Sequence, residues 1–172
     1  MTALVRLAPP GPLTRSTTLE ALAPRFLTWL QFVRRRSENT IRAYEADLRV
    51  FLAFAHQAEL VQPEDVNFRH LEFYLGWLQT ERHAKPATAN RHLHALRAFW
   101  RWARREGITT TDPAADTFTL PTPTKLPDYL SIAEQERVLE VLGALRTPLG
   151  RRDHAVIATA LLTGLRCSEL VH

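Results

Sequence analysis

Between Lys85 and Arg105 the chain lays out residue types suited to holding a nucleic acid. Asn90, His94, Arg97, Arg101 and Arg104 follow one another at steps of four, three, four and three. Such steps place them on one side of a helix. Arginine presents a planar fork that fits phosphate or the edge of guanine, and asparagine pairs with adenine in the major groove. Lys85, Thr88, Asn90 and Arg91 sit around the first turn, where backbone amides and the helix dipole favour a phosphate. From Ala87 to Arg105 there is no acidic residue. A solvated helix face usually mixes both signs, so the stripe points to contact with duplex DNA, with plain solvation as the alternative.

A second set, Ser37, Asn39, Thr40, Arg42 and Arg49, offers weaker support. Ser37 and Thr40 read equally well as helix caps, while Glu45 and Asp47 dilute the positive field. His92 and His94 are two apart, hence on different faces, and no carboxylate or thiolate completes a site with them. No metal and no small-molecule cofactor are expected. Two further residues late in the chain, Arg166 and Glu169, follow Gly164 closely enough to share a fixed turn.

The elements that must position these groups are helices. Leu19, Leu22, Phe26, Trp29, Leu30 and Val33 form an amphipathic stretch that is predicted to end near Arg36. The cluster 37–40 restarts a helix whose inner face carries Ile41, Tyr44, Leu48, Phe51, Leu52 and Ala55. Pro63, Glu64 and Asp65 suit a helix start, and that third stretch buries Val66, Leu71, Tyr74, Leu75 and Leu78. Lys85-Pro86 opens the fourth, with Ala89, Leu93, Leu96, Trp100 and Ala103 inward and Gly107 as its stop. The reading is all-α: a four-helix bundle over 18–107 behind a flexible tail at 1–17.

Polar β-branched residues and Pro113, Pro121, Pro123 and Pro127 then predict an extended linker over 108–128. Beyond it, Ser131 with Glu134 is a capping box that begins a fifth helix, which Pro148 and Gly150 break. A sixth stretch, 153–162, is apolar nearly all round, so it is expected to need more protein around it than residues 129–172 supply.

Composition bounds the rest. The 172 residues are 45% apolar, which suits a globular chain and not a disordered one. No apolar run approaches the roughly 20 residues of a membrane span, and no secretion signal is legible. A single Cys167 fits a reducing, cytoplasmic setting. Up to Leu120 there are 16 basic and 12 acidic residues, and after it six of each, so the whole excess of +4 lies in the first segment.

The segment Ser37-Glu38-Asn39-Thr40-Ile41-Arg42-Ala43-Tyr44-Glu45-Ala46-Asp47-Leu48, then Phe51, resembles the opening of the core-binding domain of Xer-like tyrosine recombinases and phage integrases. Thr88-Ala89-Asn90-Arg91-His92-Leu93-His94-Ala95-Leu96-Arg97-Ala98-Phe99-Trp100 is similar to that domain's last long helix. Asp112-Pro113-Ala114 and Leu126-Pro127 fall where the family has its interdomain linker. Arg152-Asp153 through Leu162-Thr163-Gly164-Leu165-Arg166-Cys167-Ser168-Glu169-Leu170 resembles its first catalytic box. The resemblance implies a SAM-like bundle whose second and fourth helices approach the major groove, followed by the start of a catalytic domain. It implies double-stranded DNA and other recombinase protomers as partners, and Arg166 as the first catalytic arginine with Glu169 supporting it.

In that family a tyrosine attacks a phosphodiester without any metal, while arginines stabilise the charge that builds on the phosphate. The later catalytic groups have no counterpart in these 172 residues. His94-Ala95-Leu96-Arg97 spells the family's His-x-x-Arg only by coincidence, and Tyr44, Tyr74 and Tyr129 do not suit a nucleophile. The expectation is therefore DNA binding without cleavage, as the N-terminal part of a recombinase. A stand-alone DNA-binding accessory or inhibitor and a helical protein-interaction domain are the alternatives.

Overall fold

The computed structural model describes residues 17–123 and 128–170. The expected tail at 1–17 therefore falls outside the described residues apart from Thr17, as do Leu126 and Pro127 of the linker reading. Among the described residues the chain is all-α and falls into two units, divided between Pro123 and Thr124.

The first unit holds α1 (Leu19–Phe32), α2 (Glu38–Gln57), α3 (Phe68–Thr80) and α4 (Pro86–Arg105). Helix α1 packs on α2, and α4 packs on α1, α2 and α3. Thr18 caps α1 by accepting from the Ala21 N–H at 3.3 Å, and Ser37 caps α2 in the same way through Thr40. The apolar stripes close one core: Leu22, Phe26, Phe51, Leu71, Tyr74, Leu93, Leu96 and Trp100 are all at most 1% exposed. Burying each such side chain contributes about 1.5–3 kcal/mol.

Two boundaries differ from the sequence reading. Helix α1 stops at Phe32 and leaves Val33 66% exposed. The turn that ends it runs Arg34 N–H to the Trp29 carbonyl and Arg36 N–H to the Leu30 carbonyl, with Arg35 left-handed at φ 47°. Likewise Pro63–Asp65 form only one 3-10 turn. The Asp65 carboxylate accepts from the N–H groups of Val61 and Gln62 at 3.1 and 2.8 Å, which consumes the turn locally. Asn67 then caps α3 by accepting from Arg69 and His70.

The largest difference lies after α4. Gly107, at φ 73°, ends the helix as expected, but the following segment is not an extended linker along its whole length. Ile108, Thr109, Pro113, Ala114 and Thr117 are buried. Residues 108–120 return along α4 as a strap, and the first unit includes them.

The second unit contains α5 (Ile132–Ala144), α6 (Pro148–Thr163) and the short α7 (Cys167–Leu170), with α5 packed on α6. The Ser131–Glu134 capping box is present; the Glu134 carboxylate accepts from both the hydroxyl and the N–H of Ser131 at 2.7 Å, and these bonds hold it below its ordinary pKa. Pro148 does not merely end the fifth helix: with Thr147 as cap it is the first residue of α6, where its missing N–H costs nothing. Gly150 is required there, since a Cβ would lie 2.5 Å from the Leu145 Cβ and 2.6 Å from its carbonyl oxygen. Helix α6 keeps Val156, Ile157 and Leu162 at 45%, 37% and 84% exposure.

Candidate nucleic-acid interface

Helix α4 is fixed from its apolar side. Ala89, Leu93, Leu96, Trp100 and Ala103 are buried against the other three helices. That leaves Lys85, Arg91, His94, Arg101 and Arg104 exposed. Lys85 precedes the helix as a cap without a side-chain hydrogen bond, and Thr88 is half-buried in the first turn. Beside α4 the start of α2 supplies Asn39 and Thr40, and together with Arg91 and His94 they line a groove of about 400 Å³. The sequence pattern therefore leads to a surface on which residues of both helices meet.

Other members of the predicted set have different duties. Ser37 and Thr40 are cap residues, their hydroxyls 2.8 Å apart. Arg42 is paired with Glu38 one turn earlier, and Arg49 with Glu45 at 3.3 Å. Exposed pairs of this kind hold weakly, so both arginines stay available to an anion.

Asn90 and Arg97, two of the residues expected on the DNA-facing stripe, bond the backbone of the segment that follows α4. Asn90 makes a paired contact with the backbone of Leu120, donating to its carbonyl at 2.9 Å and accepting from its N–H at 2.7 Å. Arg97 donates to the carbonyls of Ala114 at 3.1 Å and Thr117 at 2.6 Å. The helical stripe is real, but the strap satisfies two of its five members. Arg97→Ala is expected to weaken the strap by about 3 kcal/mol, since it removes two charge-assisted bonds worth about 1.5–3 kcal/mol each. Amide exchange at Leu120 should then rise by more than tenfold against the α4 core. Arg97→Lys is not expected to restore it, because one ammonium lacks the fork that spans two carbonyls.

Beneath the groove lies a buried polar cluster that sequence reasoning missed. Asp47, which in the sequence only dilutes the positive field, is 4% exposed. Its carboxylate lies 2.9 Å from the Arg91 guanidinium and 3.4 Å from the His92 ring, and His92 Nδ1 lies 3.0 Å from the Tyr74 hydroxyl. Burial, reinforced by the Arg91 cation, pushes the His92 pKa down to about 4. Burial also raises the Asp47 carboxyl above its ordinary value, against the pull of Arg91. A signal was present: Tyr44, Asp47, Leu48 and Phe51 share the inner face of α2 at steps of three, one and three. The carboxylate anchors Arg91, whose side chain is still 52% exposed to the groove.

In the second unit, Gly164 ends α6 in the left-handed conformation at φ 67°. Arg166 follows with its side chain 84% exposed. Glu169 accepts from the Arg166 N–H at 2.8 Å and pairs with its guanidinium at 3.4 Å, so the two hold one turn. Among the described residues no group of three His, Cys, Asp or Glu side chains is placed to hold a metal ion, and no helix is long and apolar enough to cross a membrane.

Comparison with known proteins fits this arrangement. Residues 23–107 match the phage integrase N-terminal SAM-like domain family. The chain is 34% identical to the tyrosine recombinase XerD of Vibrio cholerae over 88% of its own length and 49% of that protein. It is 31% identical to XerD of Oceanobacillus iheyensis over 89% and 51% of the two lengths. Among solved structures, the integrase from mycobacterium phage Brujita superposes with a TM-score of 0.51 at 25% identity, over 84% of this chain and 46% of that one. The chain spans about half the length of the curated relatives it matches. With the helical bundle, the fourth-helix motif and these relatives in agreement, residues 23–107 form a phage integrase N-terminal SAM-like domain, and over most of its length the chain is homologous to the Xer tyrosine recombinases.

Proposed function

We propose that this chain is the DNA-holding part of a site-specific tyrosine recombinase, working on double-stranded DNA beside other recombinase protomers. The observation that carries this reading is the groove between α2 and α4, where Asn39, Thr40, Arg91 and His94 converge; α4 itself has no acidic residue from Ala87 to Arg105, and the one carboxylate lining the groove, Asp47, is buried and paired with Arg91. A helix is the element that enters the major groove, and arginine and asparagine are the side chains that read it. Arg101 extends the same exposed face.

Arg166 matches the first catalytic arginine, and its turn with Glu169 would aim it at a phosphate as charge develops. No tyrosine here is suited to the attack: Tyr74, for one, is fully buried against His92. The reading is therefore binding without strand cleavage by these 172 residues.

The test is titration of the chain onto duplex DNA at several salt concentrations. Log affinity should fall linearly with log salt, with a slope of about 0.9 per phosphate neutralised. Arg91→Ala with Arg101→Ala should weaken binding and flatten the slope. Absence of binding at low salt would refute the reading, and so would a double variant that binds as well as the parent.

A further inference from the structure

At the C-terminal end of α4 the surface changes character. Arg101 and Arg104 of α4, with Arg34 and Arg36 of the turn after α1, line one cleft of about 610 Å³. Arg105 is the fifth arginine there, and no carboxylate lines it. The cleft is built on an aromatic base that includes Trp29: the Arg105 guanidinium lies 4.5 Å over that ring and the Arg34 guanidinium 5.7 Å. Cation–π contact of this kind holds a guanidinium in place while leaving its donors unused.

The turn carrying Arg34 and Arg36 is itself fixed. Its Arg34 and Arg36 N–H groups close onto α1 carbonyls at 3.1 and 3.0 Å around the left-handed Arg35. Arg105 is paired with Glu106 at 2.8 Å, and Arg101 donates through Nε to the Arg97 carbonyl. Arg36 and Arg104 have no side-chain partner among the described residues. Arginines in the last turn of a helix also offset its dipole, which accounts for Arg104 and Arg105. Arg34 and Arg36 stand in the same relation to the end of α1, but two helix ends placed side by side bring five arginines around one cleft, which increases the local repulsion.

We propose that this cleft grips backbone phosphates of the same duplex, next to the groove and independently of base sequence. The proposal rests on the DNA reading of that groove, and Tyr44 lines both, so the two surfaces are continuous. Several guanidinium forks around one concave site suit phosphate oxygens bidentately, and an anion relieves the repulsion between them. The α2–α4 groove then supplies base contacts, while affinity comes largely from the end of the helix.

The experiment uses the 172-residue chain and two unrelated duplexes of equal length, with Arg34→Gln, Arg36→Gln and Arg104→Gln combined and Arg104→Gln alone. All three side chains are exposed, and the helical circular dichroism of each variant is checked first. The triple variant should bind both duplexes more weakly by the same factor, with the salt slope reduced by about 0.9 for every phosphate no longer neutralised. The single variant should show a reduction of about one such step. Should the parent bind while the triple variant keeps its full slope, the cleft is not a phosphate grip and the groove reading stands alone. A polyglutamate that binds the parent but not the triple variant, with the DNA slope unchanged, would assign the cleft to an acidic protein segment and overturn the proposal. A parent that binds neither duplex removes both readings together.

Discussion

Acidification from pH 6.5 to about 4 is expected to destabilise the helical bundle by on the order of 3 kcal/mol through His92 alone. An unfolded chain protonates this imidazole near 6.5, whereas the folded chain holds it neutral until about 4. Between those values the unfolded state binds more protons, so stability is full above the window and is lost as pH falls through it. The groups facing the ring come from three helices and one turn: Asp47 from α2, Tyr74 from α3, Arg91 from α4 itself, and Arg82 after α3. Asp47 acts in the opposite sense. Its raised pKa lets the folded state take up a proton before the unfolded state does, which trims the loss at the acid end. Urea unfolding at pH 7, 5.5 and 4.5 should show the midpoint falling, and His92→Gln should remove most of that slope. A slope that survives in His92→Gln would show that other groups set the acid sensitivity.

Removal of the Trp100 side chain should cost more still. Trp100→Ala is expected to lower stability by about 3–5 kcal/mol, the usual range for emptying a buried aromatic site. The ring is fully buried, edge-on to Phe51 at 5.6 Å and to Phe99 at 5.0 Å. It is thus the point where α4 is keyed to α2. Its indole Nε1 has no acceptor, so the native residue already carries an unpaired buried donor. Trp100→Phe should therefore cost well under half as much, because it deletes that donor along with some apolar area. Thermal melts of the two variants against the parent decide the matter; equal losses would mean that the N–H finds a partner in solution.

The fold was legible wherever one period dominated. Leu93, Leu96, Trp100 and Ala103 mark the inner face of α4 without help from any other part of the chain, and Gly107 and Gly164 stop their helices where a left-handed residue is needed. The family was legible too, because the α2 and α4 motifs are local. What could not be read was pairing across distance. The burial of Asp47 shows only once α3 and α4 are laid over it. The bonds of Asn90 and Arg97 show only once residues 114–120 fold back along α4. The four prolines from 113 to 127 suggested one uniform spacer, yet a proline forbids a helix without forbidding burial: Pro113 is itself in the packed part. Local propensity describes a segment's own geometry, not which helix it will lie against.

That strap changes where the chain tolerates a change of length. An extra residue between Thr109 and Leu120 would put the Ala114 and Thr117 carbonyls and the Leu120 amide out of step with Arg97 and Asn90, so it would be felt on the recognition helix. The same insertion just after Leu120 disturbs none of these bonds. Fusions and altered tether lengths thus have a natural joint at Pro121, well beyond the point that the end of the fourth helix alone would suggest.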